Sequence, residues 1–324
     1  MKVYPLKFDP ILKEKVWGGN KLKTQFNKKT QKSNIGESWE VSAVPNNVST
    51  ISNGIYKGES LKNIQTKYKE LFLGRKNYQV FGDEFPLLIK FIDAASNLSI
   101  QVHPDDAMAK RNHNSFGKTE MWYVMEHEEN AELIAGLQEG VEDLGLAYAT
   151  LNNENYKELL HVDTVKKGDS YFIPSGQVHA IGAGIMVAEI QQTSDVTYRI
   201  FDWERKDSSG NLRELHTEHA IAATDTSPKE LKKRYNVKSN ETSSLVDCQY
   251  FTTNLFQVEN RYVKEYQDLD SFVILICVEG AASVCVNSTK EHLRQGTSIV
   301  LPAITEEVKI MGESAKFLEV YIAA

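Results

Sequence analysis

Cysteine is scarce in this 324-residue chain: Cys248, Cys277 and Cys285 all lie in the last quarter, at spacings that fit neither a zinc ribbon nor a disulfide framework. Their spacing predicts buried, reduced thiols in a cytoplasmic protein. No apolar stretch of signal-peptide length opens the sequence, and no window approaches the roughly 20 apolar residues of a membrane helix. Positive charge is in deficit, with 37 Lys and Arg against 44 Asp and Glu, and the net charge of −7 argues against nucleic acid or an anionic membrane as partner. An anionic ligand must then be met by a local basic cluster. Low-complexity segments and short-period repeats are missing too, which excludes a solenoid. What remains, 41% hydrophobic and 25% charged residues, is an ordinary globular composition with enough apolar material for a sizeable core, and the length suits two moderate domains.

Short β-rich runs punctuated by Gly, Pro and Asn dominate. VYPLKF, GESWEVSAVP and STISNG come first, SYFIPSG, HAIGAGIMVAEIQQ and VTYRIFDW follow, and YFTTNLFQVENRYV, SFVILICVEGAASVCV, TSIVLP and KFLEVYIA close the chain. Such spacing predicts an all-β sandwich or barrel. In FPLLIKFIDAASNLSIQVHP two apolar strands meet at an Ala-Ala-Ser-Asn turn. Alternation in the second puts Ser99, Gln101 and His103 on one face and Leu98, Ile100 and Val102 on the other. Helices are expected over residues 59–72, where Leu61, Ile64, Tyr68 and Leu71 recur at three- and four-residue steps, over 141–160, and in the charge-mixed stretch 212–235 with a start at Pro228. The polar, Ser-rich residues 237–246 read as a connection. The expected organisation is a first domain over 1–236 with helical insertions and a smaller all-β domain over 237–324.

The sharpest local signal is GDSYFIPSGQVHAIGAG. Gly168 lets the chain turn into a strand, Pro174 and Gly176 break the ladder at a rim, and His179 re-enters a strand facing an interior. This spacing resembles the second signature motif of the cupin superfamily. The first motif of that superfamily, a histidine pair and a following glutamate, is matched by SIQVHPDD and GKTEMWYV, with Gln101 at the first histidine position, His103 at the second and Glu120 as the acid. Gln101 and His103, two apart on one strand, address the same point. Glu120 on a neighbouring strand and His179 on a third complete four nitrogen or oxygen ligands. Imidazole and carboxylate donors without thiolate suit zinc, and manganese or iron accepts the same donor types. Taken singly, His103 reads as a satisfied histidine and Glu120 as a solvated strand residue; the joint spacing is what argues for a metal site.

Together SIQVHPDD, GKTEMWYV, PSGQVHAIGAG and EIQQTSDVTYRIFDW resemble the type I phosphomannose isomerases, in particular their short bacterial form. The likeness extends to GESWEVS and FPLLIKFIDA and covers most of residues 1–205. It implies a mainly β fold of two cupin (jelly-roll) β-barrel domains with helical insertions in the first. It also implies one Zn2+ per chain on Gln101, His103, Glu120 and His179, and interconversion of mannose 6-phosphate and fructose 6-phosphate. By the same resemblance Arg199 is the catalytic residue, and Lys118, Ser99 and, more weakly, Lys90 contact substrate, with Arg205 a further source of positive charge. Glu189 corresponds to an active-site acid of the longer relatives, although an extra residue separates it from His179, and its role stays open. The partner is a small sugar phosphate, with no nucleic acid and no membrane, and the chain is expected as a cytoplasmic monomer or homodimer. In the C-terminal domain Gly296 and Pro302 keep the motif spacing, but Ile304 and Glu307 stand where its glycine and histidine would be, so no second metal site is expected.

Aldose-ketose isomerisation removes a proton from the carbon beside a carbonyl and returns it to the neighbouring carbon. A metal on the carbonyl and hydroxyl oxygens would stabilise the enediolate by several kcal/mol, and a positioned base contributes about 100- to 10,000-fold. A guanidinium keeps its proton, so Arg199 is assigned to charge stabilisation of the enediolate or the phosphate. The base is a carboxylate, a metal-bound hydroxide or an unbound histidine, and the sequence does not choose. Two rival functions share the scaffold. One is an iron-dependent dioxygenase, which oxygen consumption would reveal; the other is a non-catalytic sugar-binding cupin, against which Lys118 and Arg199 beside a full ligand set argue.

Overall fold

The computed structural model describes residues 1–206, 210–227 and 229–323. Strand accounts for 43% of the chain and helix for 16%, so the mainly β expectation holds. Contacts divide the chain into two compact units. One comprises Met1–Ile11, Trp39–Ile89 and Arg234–Ala324, and the other Leu12–Ser38 and Lys90–Lys233. No helix among the described residues is long and apolar enough to cross a membrane.

Two sheets are built mainly from residues of the second unit. In chain order their strands are β1 (Ile11–Gly19), β2 (Ile35–Val41), β3 (Leu87–Ala94), β4 (Ile100–Val102), β5 (Glu120–Glu126), β6 (Glu132–Leu137), β7 (Leu160–Thr164), β8 (Ser170–Ile173), β9 (His179–Ile181), β10 (Ile185–Gln192), β11 (Tyr198–Phe201) and β12 (Lys232–Lys233). The seven-stranded sheet runs β12-β8-β5-β10-β3-β1-β2, and the five-stranded sheet β7-β6-β9-β4-β11. Trp122, Tyr171, Ile173 and Val187 from the first sheet and Leu133, Ala135 and Ile181 from the second form one buried cluster between the inner faces. The back of the five-stranded sheet is covered as well. Ile100, Val102, Ile134, Ala180, Tyr198 and Ile200 pack there with Ala147, Tyr148 and Ala220 of the helices Leu144–Thr150 and Thr217–Ala223. Each fully buried aliphatic side chain contributes roughly 1.5–3 kcal/mol, so a short sheet buried on both faces is held firmly. That rigidity is what a site on β4, β9 and β11 requires.

Four local expectations are corrected. The helix over 59–72 is two helices, Leu61–Tyr68, capped by the Ser60 hydroxyl, and Glu70–Leu73, separated by Lys69 at φ 47, a left-handed conformation that no α-helix tolerates. The helix over 141–160 is likewise split into Leu144–Thr150 and Tyr156–Leu159, and Leu160 already belongs to β7. Over 212–235 only Thr217–Ala223 is helical among the described residues. Lys232–Lys233 pairs with Ser170 and Tyr171, and the neighbouring Leu231 is buried in the inter-sheet cluster, so sheet pairing overrides helix propensity; Pro228 lies outside the described residues. Leu98, assigned to the apolar face of the strand with Ile100 and Val102, instead joins the inter-sheet cluster, because it precedes β4 and escapes its alternation.

In the first unit the strands Thr252–Glu265 and Glu307–Tyr321 pair along their whole length, from Thr252 opposite Tyr321 to Glu265 opposite Glu307. Phe256, Leu275, Cys277, Ile299, Ile310 and Phe317 form the core beside them. Glu319 sits among these apolar groups at 2% exposure, yet it is fully met. The Tyr266 hydroxyl donates to it at 2.6 Å and Asn254 Nδ2 at 3.0 Å, and Lys264 Nζ lies 2.7 Å away and over the Phe256 ring. The three thiols are free, as expected; Cys277 is buried, whereas Cys248 and Cys285 are only half-buried.

Candidate metal centre

Ladder register aligns the site. His179 on β9 stands opposite Ala135 on one side and Gln101 of β4 on the other, and Gln101 in turn stands opposite Arg199 of β11. Opposed residues of antiparallel strands share a face, so Ala135, His179, Gln101 and Arg199 form a row across the inner face of the five-stranded sheet. On the other sheet Glu120 of β5 stands opposite Ile173 and Gln191. It lies two residues before Trp122 of the inter-sheet cluster and therefore faces the same interior.

There His103, Glu120 and His179 converge, all but fully buried, with their ligand atoms within 4.8 Å of one another. Among the described residues no other group of three His, Cys, Asp or Glu side chains does so. The two Nε2 atoms are 3.1 Å apart, and the Glu120 oxygens lie 3.4 Å from His179 Nε2 and 3.7 Å from His103 Nε2. Each ring is held from behind by a main-chain carbonyl: His103 Nδ1 donates to Val196 at 3.0 Å and His179 Nδ1 to Gln177 at 2.8 Å. A carbonyl only accepts, so both Nδ1 atoms carry the hydrogen and both Nε2 atoms present lone pairs. Burial keeps the rings neutral, holding His103 well below the usual histidine value and His179 down to about 3, with the Lys118 ammonium adding to both shifts. Two lone pairs at 3.1 Å repel unless a cation lies between them. The carboxylate beside them has no hydrogen bond of good geometry to either oxygen. Its nearest countercharge is Lys118 Nζ, 2.8 Å from Oε2 and 3.0 Å from His103 Nε2. Burial pushes Glu120 up to about 7 despite that lysine. Two oriented imidazoles and a carboxylate are a donor set that fits a divalent cation, and carbonyl-anchored rings are the usual support of such ligands.

Around this centre lies a charged network. Lys90 Nζ donates to Glu189 Oε1 at 2.8 Å and to Gln191 Oε1 at 2.6 Å, and Trp122 Nε1 donates to Glu189 Oε2 at 3.1 Å. Trp122 also packs edge-on against the His179 ring, 5.3 Å between centroids. Burial would raise the Glu189 carboxyl, but Lys90 and Lys118 outweigh it and hold the group at about 2. Ser99 is buried and Gln101 half-buried. On β11 the half-buried Arg199 gives Nη1 to the Glu214 carbonyl at 2.6 Å. Nearby, one buried carboxylate, Asp202, receives both Arg205, at 2.5 Å, and Arg213. Three guanidiniums against one buried carboxylate make a local basic cluster in an acidic chain.

Similarity to known proteins agrees with this geometry. The family model for the phosphomannose isomerase type I catalytic domain matches residues 6–137, and that for the mannose-6-phosphate isomerase cupin domain matches residues 240–322. A mannose-6-phosphate isomerase of Streptococcus mutans serotype c is 36% identical over 301 residues, 92% of either chain. The chain belongs to the type I phosphomannose isomerase family. Mannose-6-phosphate isomerase ManA of Bacillus subtilis is 34% identical over 318 residues, 96% of this chain and 97% of that one. The crystal structure of a mannose 6-phosphate isomerase from Bacillus subtilis superposes with a TM-score of 0.88 at 33% identity, covering 98% and 99% of the two chains.

In this chain the structure gathers His103, Glu120, His179 and Lys118 at one point, sets Gln101 and Arg199 in the same row of the ladder, and turns Lys90 toward Glu189 and Gln191. Sequence reasoning passed over Trp122, Gln191, Glu214 and His216. Alternation could have found the first two, because Trp122 follows Glu120 by two positions and Gln191 follows Glu189 by two. Glu214 and His216 carried no such signal, since they approach Arg199 from a segment without regular structure before the helix Thr217–Ala223.

Proposed function

We propose that this chain is a zinc-dependent mannose-6-phosphate isomerase, interconverting mannose 6-phosphate and fructose 6-phosphate through an enediolate. Zn2+ would be held by Gln101, His103, Glu120 and His179 in a catalytic domain over residues 1–236, with residues 237–324 holding no metal. The observation that carries the reading is the opposed pair of imidazole lone pairs beside Glu120, a buried arrangement that calls for a cation. Activity follows from the family and from its relatives, which are named mannose-6-phosphate isomerases. When bound, the ion supplies Lewis-acid stabilisation of the negative charge that develops on the substrate oxygens.

The chain's own residues do the rest. Arg199 stays protonated and stabilises the developing charge or the phosphate. Lys118 and Ser99 contact substrate, and Lys118 stands closest to the ligand set, 2.8 Å from Glu120. Glu189, held at about 2, is a weak base near neutrality, so it is assigned to fixing Lys90 rather than to proton transfer. Lys90 serves the site through that pair. The basic cluster around Asp202 supplies the local charge that an anionic sugar needs. The same reading has the enzyme work in the cytoplasm as a monomer or homodimer.

A coupled assay of mannose 6-phosphate conversion, before and after chelation and again after zinc is returned, tests both halves. Activity should vanish with the metal and come back with zinc. Undiminished turnover by protein verified as metal-free would sink the metal role, and a zinc-loaded protein inert toward mannose 6-phosphate would sink the substrate assignment.

A further inference from the structure

Arg199 lies on β11, the edge strand of the five-stranded sheet, where one side of the backbone has no neighbouring strand. Edge groups must find partners elsewhere. Those of Arg199 are taken by one tripeptide, Glu214–Leu215–His216. The His216 backbone N–H donates to the Arg199 carbonyl at 2.8 Å, the Arg199 backbone N–H donates to His216 Nδ1 at 3.1 Å, and Arg199 Nη1 donates to the Glu214 carbonyl at 2.6 Å. The residue is gripped at amide, carbonyl and guanidinium at once. A backbone N–H only donates, so His216 Nδ1 carries a lone pair and its hydrogen sits on Nε2. The imidazole thus does what the next strand's carbonyl would do in a wider sheet. Its own backbone is fixed by the helix Thr217–Ala223, for which His216 is the N-cap and which buries Ala220 against β4 and β11 residues.

We propose that His216 is a positioning residue for Arg199, using Nδ1 as a hydrogen-bond acceptor to set the register and direction of the guanidinium on the edge strand. The proposal rests on the reading of Arg199 as the catalytic arginine. Its logic is that a small displacement of a charge-stabilising group is felt in turnover far more than in binding.

The choice of acceptor makes the idea testable. Asparagine places a side-chain oxygen where Nδ1 stands, whereas glutamine carries its amide out to where Nε2 stands. In the zinc-loaded full chain, with metal content checked by elemental analysis, H216N should keep kcat near wild type. H216Q should lose about 10- to 100-fold in kcat with KM little changed. Equal turnover of the two variants, whether both normal or both collapsed, overturns the proposal: the first result means Nδ1 is dispensable, and the second means His216 acts by bulk. R199A is the control that separates the layers. If R199A turns over normally, the Arg199 reading falls and this proposal falls with it. If R199A is dead while both His216 variants are normal, only the role of His216 is lost.

Discussion

Replacing Lys90 by methionine keeps most of the side-chain volume and deletes one ammonium from the inter-sheet interior. Lys90 and Glu189 are 5% and 3% exposed, and their ion pair is 2.8 Å long. Burial alone would push Glu189 above its ordinary value; Lys90, then Lys118, bring it to about 2 from 4.5. At about 1.36 kcal/mol per pKa unit, that drop corresponds to about 3 kcal/mol favouring the folded, ionised state. The sign follows from the direction: a carboxylate depressed in the fold contributes stability that is complete above about 4.5 and disappears as pH falls through about 2. Independent experience with buried pairs agrees, since deleting one partner costs about 3–5 kcal/mol by stranding the other charge. K90M should therefore lower unfolding free energy by about 3 kcal/mol at pH 7. It should also introduce a pH dependence that Glu189 does not give the wild type between pH 5 and 7: without Lys90, burial moves the carboxyl back toward its protonated form, and the variant gains relative stability as the solution is acidified toward pH 5. Urea unfolding followed by tryptophan fluorescence at pH 5, 6 and 7 measures both effects, and Trp122, bonded to Glu189, lies inside the affected region. Adding E189Q to K90M should recover most of the loss. A K90M unfolding free energy within about 0.5 kcal/mol of wild type, or a double variant weaker than K90M, would refute the reasoning.

Other outcomes follow from the same geometry. H179A should lower zinc content well below one ion per chain by elemental analysis; full occupancy would remove His179 from the ligand set. R199A should keep its zinc while kcat falls about 100- to 1,000-fold, the usual loss for a group aimed at developing charge; near-normal turnover would end that role. K264M in the first unit should cost about 3 kcal/mol in urea unfolding by leaving Glu319 with only Tyr266 and Asn254, yet leave zinc content untouched. An unchanged midpoint would mean Lys264 is not needed as the counter-ion of that carboxylate.

Much of the metal centre was legible because its information is local. Gly168, Pro174, Gly176 and His179 are read within a dozen positions, and the alternation around Gln101 and His103 names a face before any partner is known. The surrounding network was not, since Lys90 meets Glu189 and Gln191 across 99 and 101 residues, and only the strand order that makes β3 and β10 neighbours brings them together. Helix content was overread where tertiary pairing prevailed. Leu231 and the lysines after it carry helix-forming residue types, but a free β8 edge and an apolar seat between the sheets take them as strand. The break at Lys69 was invisible for the opposite reason: a left-handed lysine leaves no signature in an amphipathic pattern that continues on both sides of it.

The anchors behind His103 and His179 are the carbonyls of Val196 and Gln177, and a carbonyl belongs to the peptide rather than to the residue. Any amino acid at 177 or 196 offers the same oxygen, provided the chain follows the same path. Exchanges at 177 or 196 that preserve this path should leave the aim of each ring intact, where the loss of a carboxylate would ruin a carboxylate-backed histidine; whatever such exchanges cost comes from the side chains' own packing, Gln177 being buried and Val196 seated on the core behind the sheet.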